Sequence, residues 1–160
     1  MKTDPQKEHA WLRKLVGEWT YEGEATAEPG KPPERFKGTE TMRAIGELWI
    51  QGESKGEMPG GGAATMIITL GYDPAKQRFV GTWVGSMMAH LWVYEGELDA
   101  AGKVLTLSSE GPSMAGDGSV QKYQDIITVE SADHRILTSR APGPDGKWNE
   151  FMTAHYRRVR

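Results

Sequence analysis

The residues that could do chemistry in this chain of 160 are four histidines, 22 carboxylates and a set of Trp and Tyr rings, with no cysteine among them. Without cysteine, thiolate catalysis, disulfides and Cys-based zinc or iron–sulfur sites are excluded. His9, His90, His134 and His155 fall at no HxH or HxxxH spacing, so metal binding has no local signature. His9 lies in a helix and His134 follows Ser131-Ala132-Asp133 in a turn, and both read as structural or solvent-facing. His155 differs by position: it lies in the last strand and is expected to face inward with Phe151 and Thr153. Glu40 or Asp125 with His90 would form an acid–base pair. No Ser nucleophile elbow, paired-carboxylate motif or phosphate loop accompanies it. Gly60-Gly61-Gly62 lacks the following Lys-Ser/Thr and reads as a loop.

Short strands must position these groups. Leu, Ile, Val and Phe total only 27 residues, but 6 Trp, 5 Tyr and 8 Met supply apolar mass, and 20 Gly with 9 Pro argue against a helix bundle. One helix is expected, at about 5–16, started by Asp4 with Pro5 in the first position and ended by Gly17; its stripe is Trp11, Leu12, Leu15 and Val16. Nine turn signals follow: 28–33, Gly46, 58–62, 73–76, 85–88, 99–102, 111–118, 131–133 and 142–146. Nine connections imply ten strands. None could house a crossover helix, so neighbours pair antiparallel as a meander. Closing the sheet removes its edges. The expected fold is therefore all-β, an up-and-down antiparallel barrel of about ten strands over about 18–159, with the helix closing one end. The whole of 1–160 reads as one domain. An immunoglobulin-like sandwich is the structural runner-up, weakened by the lack of long Greek-key connections.

In a barrel every second residue points inward. That alternation puts Phe36, Gly38, Glu40 and Met42 on one face of the second strand, and Phe79, Gly81, Trp83 and Gly85 on one face of the fifth. His90, Trp92, Tyr94 and Gly96 share a face of the sixth, and Tyr123, Asp125, Ile127 and Val129 a face of the eighth. Inward glycines beside inward rings suggest space to be filled, and an apolar pocket with a few polar groups is the usual anatomy of a small-molecule site. The competing reading is a packed core.

The net charge of −3 lacks the basic excess of a phosphate reader, so nucleic acid is not an expected partner. The N-terminus has no apolar leader, and no run is long enough to span a membrane; the expectation is a cytoplasmic protein. Arg157, Arg158 and Arg160 read as a solvated strand end or as an Arg stacked over a Trp.

Several motifs carry a resemblance. Gly17-Glu18-Trp19 after a short helix, with Arg157 or Arg158 on the last strand, resembles the lipocalin (calycin) signature, in which that Trp and Arg meet at the closed base. Thr69-Leu70-Gly71-Tyr72-Asp73-Pro74, Phe79-Val80-Gly81-Thr82-Trp83 and Leu91-Trp92-Val93-Tyr94-Glu95-Gly96 are more specific. With Gly146-Lys147-Trp148, Phe151-Met152 and His155-Tyr156-Arg157 they resemble the bacterial domain-of-unknown-function 1579 family from His9 to Val159. That family implies a barrel and no particular activity. More distantly the chain resembles the nitrobindin group, ten-stranded barrels that bind haem through a histidine near the C-terminus, a place similar to that of His155. Here Tyr21 stands where that group's Gly-x-Trp-x-Gly has its second glycine. Fatty-acid-binding proteins share the strand number, but 28–33 is too short for their two-helix lid.

The leading expectation is a non-catalytic carrier or sensor for a small hydrophobic or aromatic ligand, held against Trp83, Trp92 and Tyr94 and oriented by Glu40, His90 or Tyr123. No cofactor is expected. The alternatives are haem with His155 as axial ligand, an enzyme using an inward carboxylate and His90, and a filled barrel acting as a homodimer through Leu91 and Val93. Trp19 and Arg157 are the expected structural pair.

Overall fold

Strand-forming residues broken by glycine-rich turns close on themselves here. The structure, a computed structural model, describes residues 1–26 and 30–160; part of the expected turn at 28–33 lies outside the described residues. A helix α1 (Lys7–Leu12) runs into a 3-10 turn (Arg13–Leu15) and then into ten strands: β1 (Gly17–Ala25), β2 (Glu34–Ile45), β3 (Trp49–Glu57), β4 (Ala63–Asp73), β5 (Arg78–Gly85), β6 (Trp92–Leu98), β7 (Val104–Pro112), β8 (Val120–Ser131), β9 (His134–Pro142) and β10 (Trp148–Arg158). Each strand pairs antiparallel with the next, and β1 pairs with β10, giving a closed up-and-down barrel. The eight expected turns that lie within the described residues fall at the junctions of successive strands, several sharing a first residue or two with the strand before.

The helix is shorter than the expected 5–16, and its N-cap is Gln6 rather than Asp4. The Gln6 N–H donates to His9 Nδ1 at 2.9 Å, which leaves His9 Nε2 to donate to the Tyr72 carbonyl at 3.0 Å. His9 is thus a buried tie between helix and barrel. The other ties go to the turns at the same end. Trp11 Nε1 donates to the Gly102 carbonyl at 2.6 Å, between β6 and β7, and Arg13 reaches the Glu47 carbonyl, between β2 and β3, at 3.1 Å. Trp11, Leu12 and Leu15 are all buried, so α1 and its 3-10 turn act as the floor of the barrel.

Trp19 lies just above this floor, 2% exposed, with its Nε1 donating to the Leu15 carbonyl at 2.9 Å. The arginine that meets it is Arg158, whose guanidinium carbon is 4.3 Å from the ring centroid. The expected partner, Arg157, is exposed and lies opposite Thr20 and His134 on the outer face. Arg158 also donates to the carbonyls of Val16 at 2.6 Å, Lys14 at 2.9 Å and Ala132 at 2.9 Å, satisfying the 3-10 turn's C-terminal oxygens. Gly17 makes this approach possible: its φ is +142°, and a Cβ there would collide with Arg158 Nη1.

The change from Arg157 to Arg158 has one cause. In β10 the pairing with β9 shifts between Glu150 and Met152, so Phe151 is an extra residue. Such a bulge reverses the alternation beyond it, turning Met152, Ala154 and Tyr156 inward.

Candidate functional site

With the floor sealed, the barrel encloses a cavity of about 540 Å³ that opens at the other end. Its wall is mainly apolar. Trp83 and Trp92 stand towards the mouth with Pro59, Pro112 and Phe151, whereas Leu15, Met42, Ile127 and Tyr156 line the floor side. Apart from His90, the inward faces expected on β2, β5, β6 and β8 are the observed ones: Phe36, Glu40, Met42, Trp83, Trp92, Tyr94, Tyr123, Asp125 and Ile127 all line the lumen. The inward glycines, however, hold no ligand space of their own. A Cβ on Gly38 or Gly56 would collide with the Tyr21 hydroxyl, and one on Gly85 with the Trp83 ring. Glycine is needed there because an aromatic ring lies flat against the backbone.

Seven of the eight methionines, all but Met1, line this cavity. Met58, Met87, Met88 and Met114 come from the mouth, and Met88 Sδ accepts the Trp92 Nε1–H at 3.1 Å. Methionine walls are unbranched and polarisable, so they adapt to differing ligand shapes.

Two polar clusters sit within this apolar wall. Near the floor Glu40 is ion-paired with Arg135 and accepts from Ser54 Oγ at 3.0 Å. The Arg135 guanidinium stacks between the Trp19 and Tyr156 rings, 4.4 Å and 4.2 Å from their centroids. Trp19 is therefore held between Arg135 inside and Arg158 at the base. Higher up, Asp125 accepts from Tyr94 and, at 2.5 Å, from Ser139 Oγ. Burial pushes the Asp125 carboxyl above its ordinary range, though the two hydroxyl donors pull it partly back. Burial, reinforced by Asp125, raises the Tyr94 hydroxyl well above 10, and burial likewise raises Tyr156 and Tyr21. These phenols stay protonated. Tyr123 donates to the Pro112 carbonyl near the mouth.

Two expected site residues lie elsewhere. His155 points out of the barrel, its Nδ1 2.9 Å from His134 Nε2 and the two rings stacked at 5.2 Å, because the Phe151 bulge reverses the last strand. It does not fit as a lumenal haem ligand. His90 sits outside the lumen beside the mouth: its Nε2 is 3.0 Å from the Glu110 carbonyl and its ring packs edge-on against Trp92 at 4.6 Å. The structure therefore brings neither Glu40 nor Asp125 together with His90. Among the described residues no cluster of three or more His, Asp or Glu is placed to hold a metal ion.

Sequence reasoning missed Arg135, Ser54, Ser139 and Tyr21. The signal for Arg135 was present: it alternates with Leu137, Ser139 and Ala141 on the inward face of β9, opposite an inward Glu40 that needs a cation.

The fold and the cavity define a class: a floor-sealed, ten-stranded barrel with an apolar lumen. The chain belongs to the family described as "Protein of unknown function (DUF1579)", whose model matches residues 4–158. No match was found among curated proteins. Solved structures share the fold. Rv2717c from M. tuberculosis is similar with a TM-score of 0.69 at 13% identity, covering 98% of this chain and 100% of that one. The S-type phycobiliprotein lyase CPES from Guillardia theta has a TM-score of 0.62 at 12% identity, covering 96% and 93%. EF1p2_mFAP2b, whose structure was solved bound to DFHBI, has a TM-score of 0.51 at 12% identity, covering 94% and 98%. Among the described residues, no helix is long and apolar enough to cross a membrane.

Proposed function

We propose that this protein is a non-catalytic carrier or sensor that binds one small hydrophobic or aromatic molecule in the barrel lumen. One observation carries the reading: an apolar cavity of about 540 Å³, closed at the floor and open at a mouth lined by Trp and Met. Cavities of roughly 300–1,000 Å³ with a few fixed polar groups suit ligands of drug-like size. The packed-core alternative would need side chains to fill that volume. EF1p2_mFAP2b, bound to DFHBI, has a similar fold and a small aromatic ligand, which supports the reading by analogy. Trp83, Trp92 and Tyr123 would contact the ligand near the mouth, Tyr94 deeper on the same wall, with Glu40 acting through the Arg135 pair.

Tryptophan fluorescence tests this. Titration with N-phenyl-1-naphthylamine and 2-ethylnaphthalene is expected to give saturable 1:1 binding in the micromolar range, about −8 kcal/mol. Trp83→Ala and Trp92→Ala should each weaken it. A response that never saturates with any neutral aromatic probe overturns the reading.

A further inference from the structure

The polar groups of the lumen are nearly all satisfied within the protein, and the exceptions belong to one cross-strand row. Glu40 has Arg135 and Ser54; Asp125 has Tyr94 and Ser139; Tyr123 has a backbone carbonyl. Among the described residues, the buried side-chain polar atoms that make no hydrogen bond are the Tyr21 hydroxyl and Arg135 Nη1. Both residues are 5% exposed, and both line the cavity. Tyr21, Tyr156 and Arg135 are register partners across β1, β10 and β9, a row that slants up the inner wall from Arg135 near the floor to the Tyr21 hydroxyl against Gly38 and Gly56. The Tyr156 ring packs against both its neighbours, 4.9 Å from the Tyr21 ring and 4.2 Å from the guanidinium.

We infer that the ligand enters with an uncharged acceptor oxygen leading, of the ketone, quinone or amide kind, and presents it to the open donors of the lumen, Arg135 Nη1 and the Tyr21 hydroxyl. This deepens the proposed function and rests on it. A guanidinium N–H can only donate, so the group that satisfies Nη1 must accept; a phenol can donate to the same group or to one beside it. Charge selects among acceptors. Arg135 is already neutralised by Glu40, and Asp125 is a second carboxyl in the same cavity. A ligand carboxylate would be a further buried anion beside Glu40 without a cation of its own, which costs far more than burying a neutral dipole. A carbonyl oxygen accepts from an open donor and leaves the charge balance intact. Its apolar body then lies along Met66, Tyr94 and Trp83 towards the mouth.

Three matched probes test this: 2-acetylnaphthalene, 2-ethylnaphthalene and 2-naphthoate have nearly one shape and differ in the end group. Their affinities are measured by fluorescence or calorimetry on the wild type, on Tyr21→Phe and on the double variant Glu40→Gln/Arg135→Met, which removes Nη1 while keeping the lumen neutral. Thermal melts and near-ultraviolet circular dichroism confirm that each variant is folded. The ketone is expected to bind about tenfold more tightly than the ethyl compound, the gain of one or two hydrogen bonds to otherwise open donors. That preference should fall several-fold in Tyr21→Phe and vanish in the double variant, with naphthoate the weakest of the three on the wild type. Ethyl and ketone binding alike, or naphthoate binding best, overturns this inference while leaving lumenal binding intact. If none of the three binds and the wider neutral panel also fails, the proposed function falls and this inference with it.

Discussion

Arg135 and Glu40 lie 95 residues apart in the chain and form an ion pair inside the barrel, each side chain 5% exposed. The pair crosses from β9 to β2, and Trp19, Tyr156 and Ser54 hold its two members in place. Removing one member leaves a buried charge alone. Glu40→Gln and Arg135→Met are each expected to destabilise the protein by about 3–5 kcal/mol in urea unfolding, whereas the double variant recovers most of the loss. Additive losses in the double variant would contradict a coupled pair.

Arg158 closes the base through one ring contact and three backbone carbonyls, with a side chain only 19% exposed. Arg158→Ala should cost about 2 kcal/mol, from several charge-assisted bonds discounted for partial exposure. Arg157→Ala, on the outer face, should stay within about 0.5 kcal/mol. Chemical denaturation of the two variants side by side distinguishes them, and equal losses would contradict the assignment of the Trp19 partner.

The pH dependence of stability carries opposite signs at two aspartates. Burial raises Asp125 above 3.8, so the folded state holds its proton longer than the unfolded chain does. Its contribution is most favourable below 3.8 and declines as pH rises through the raised folded value. Asp125→Asn, which cannot ionise, should therefore gain on the wild type as pH climbs from about 4. Asp99 is lowered instead, chiefly by the Val104 and Lys103 N–H groups in the turn after β6. It stabilises above 3.8 and loses that contribution as pH falls through the lowered value, so the deficit of Asp99→Asn should shrink in acid. Urea midpoints over a pH series read both. Profiles parallel to the wild type would contradict the burial of Asp125 and the capping by Asp99.

The sequence was most legible where alternation ran unbroken. On β2, β5, β6 and β8 no bulge intervenes before the lumenal residues, so Glu40, Trp83, Trp92, Tyr94 and Tyr123 could be placed inward by parity alone. The meander was legible for a similar reason: turn residues such as Asp99 and Gly102 announce themselves locally. The failures share a physical origin in β10, where Phe151 adds one residue to the strand. Nothing in Glu150-Phe151-Met152 marks a bulge, yet it turned His155 outward and made Arg158, rather than Arg157, the partner of Trp19. Arg135 was missed because an arginine beside a turn reads as solvated; only its pairing with an inward Glu40, set by closure of the barrel, keeps it inside. Gly38 and Gly85 were found correctly but misread, since the space beside them is already taken by the Tyr21 and Trp83 rings.

Lumenal binding is tested most directly through the methionines, because seven of eight line the cavity and Met1 stands free of it. Selective carbon-13 labelling of the methionine ε-methyls gives eight signals that can be followed during titration with 2-ethylnaphthalene. A ligand inside the barrel shifts Met42, Met66 and Met152, on the inner faces of β2, β4 and β10, by ring currents, together with Met58, Met87, Met88 and Met114 at the mouth, and leaves Met1 unmoved. Saturating probe that leaves Met42, Met66 and Met152 unshifted would contradict a lumenal site.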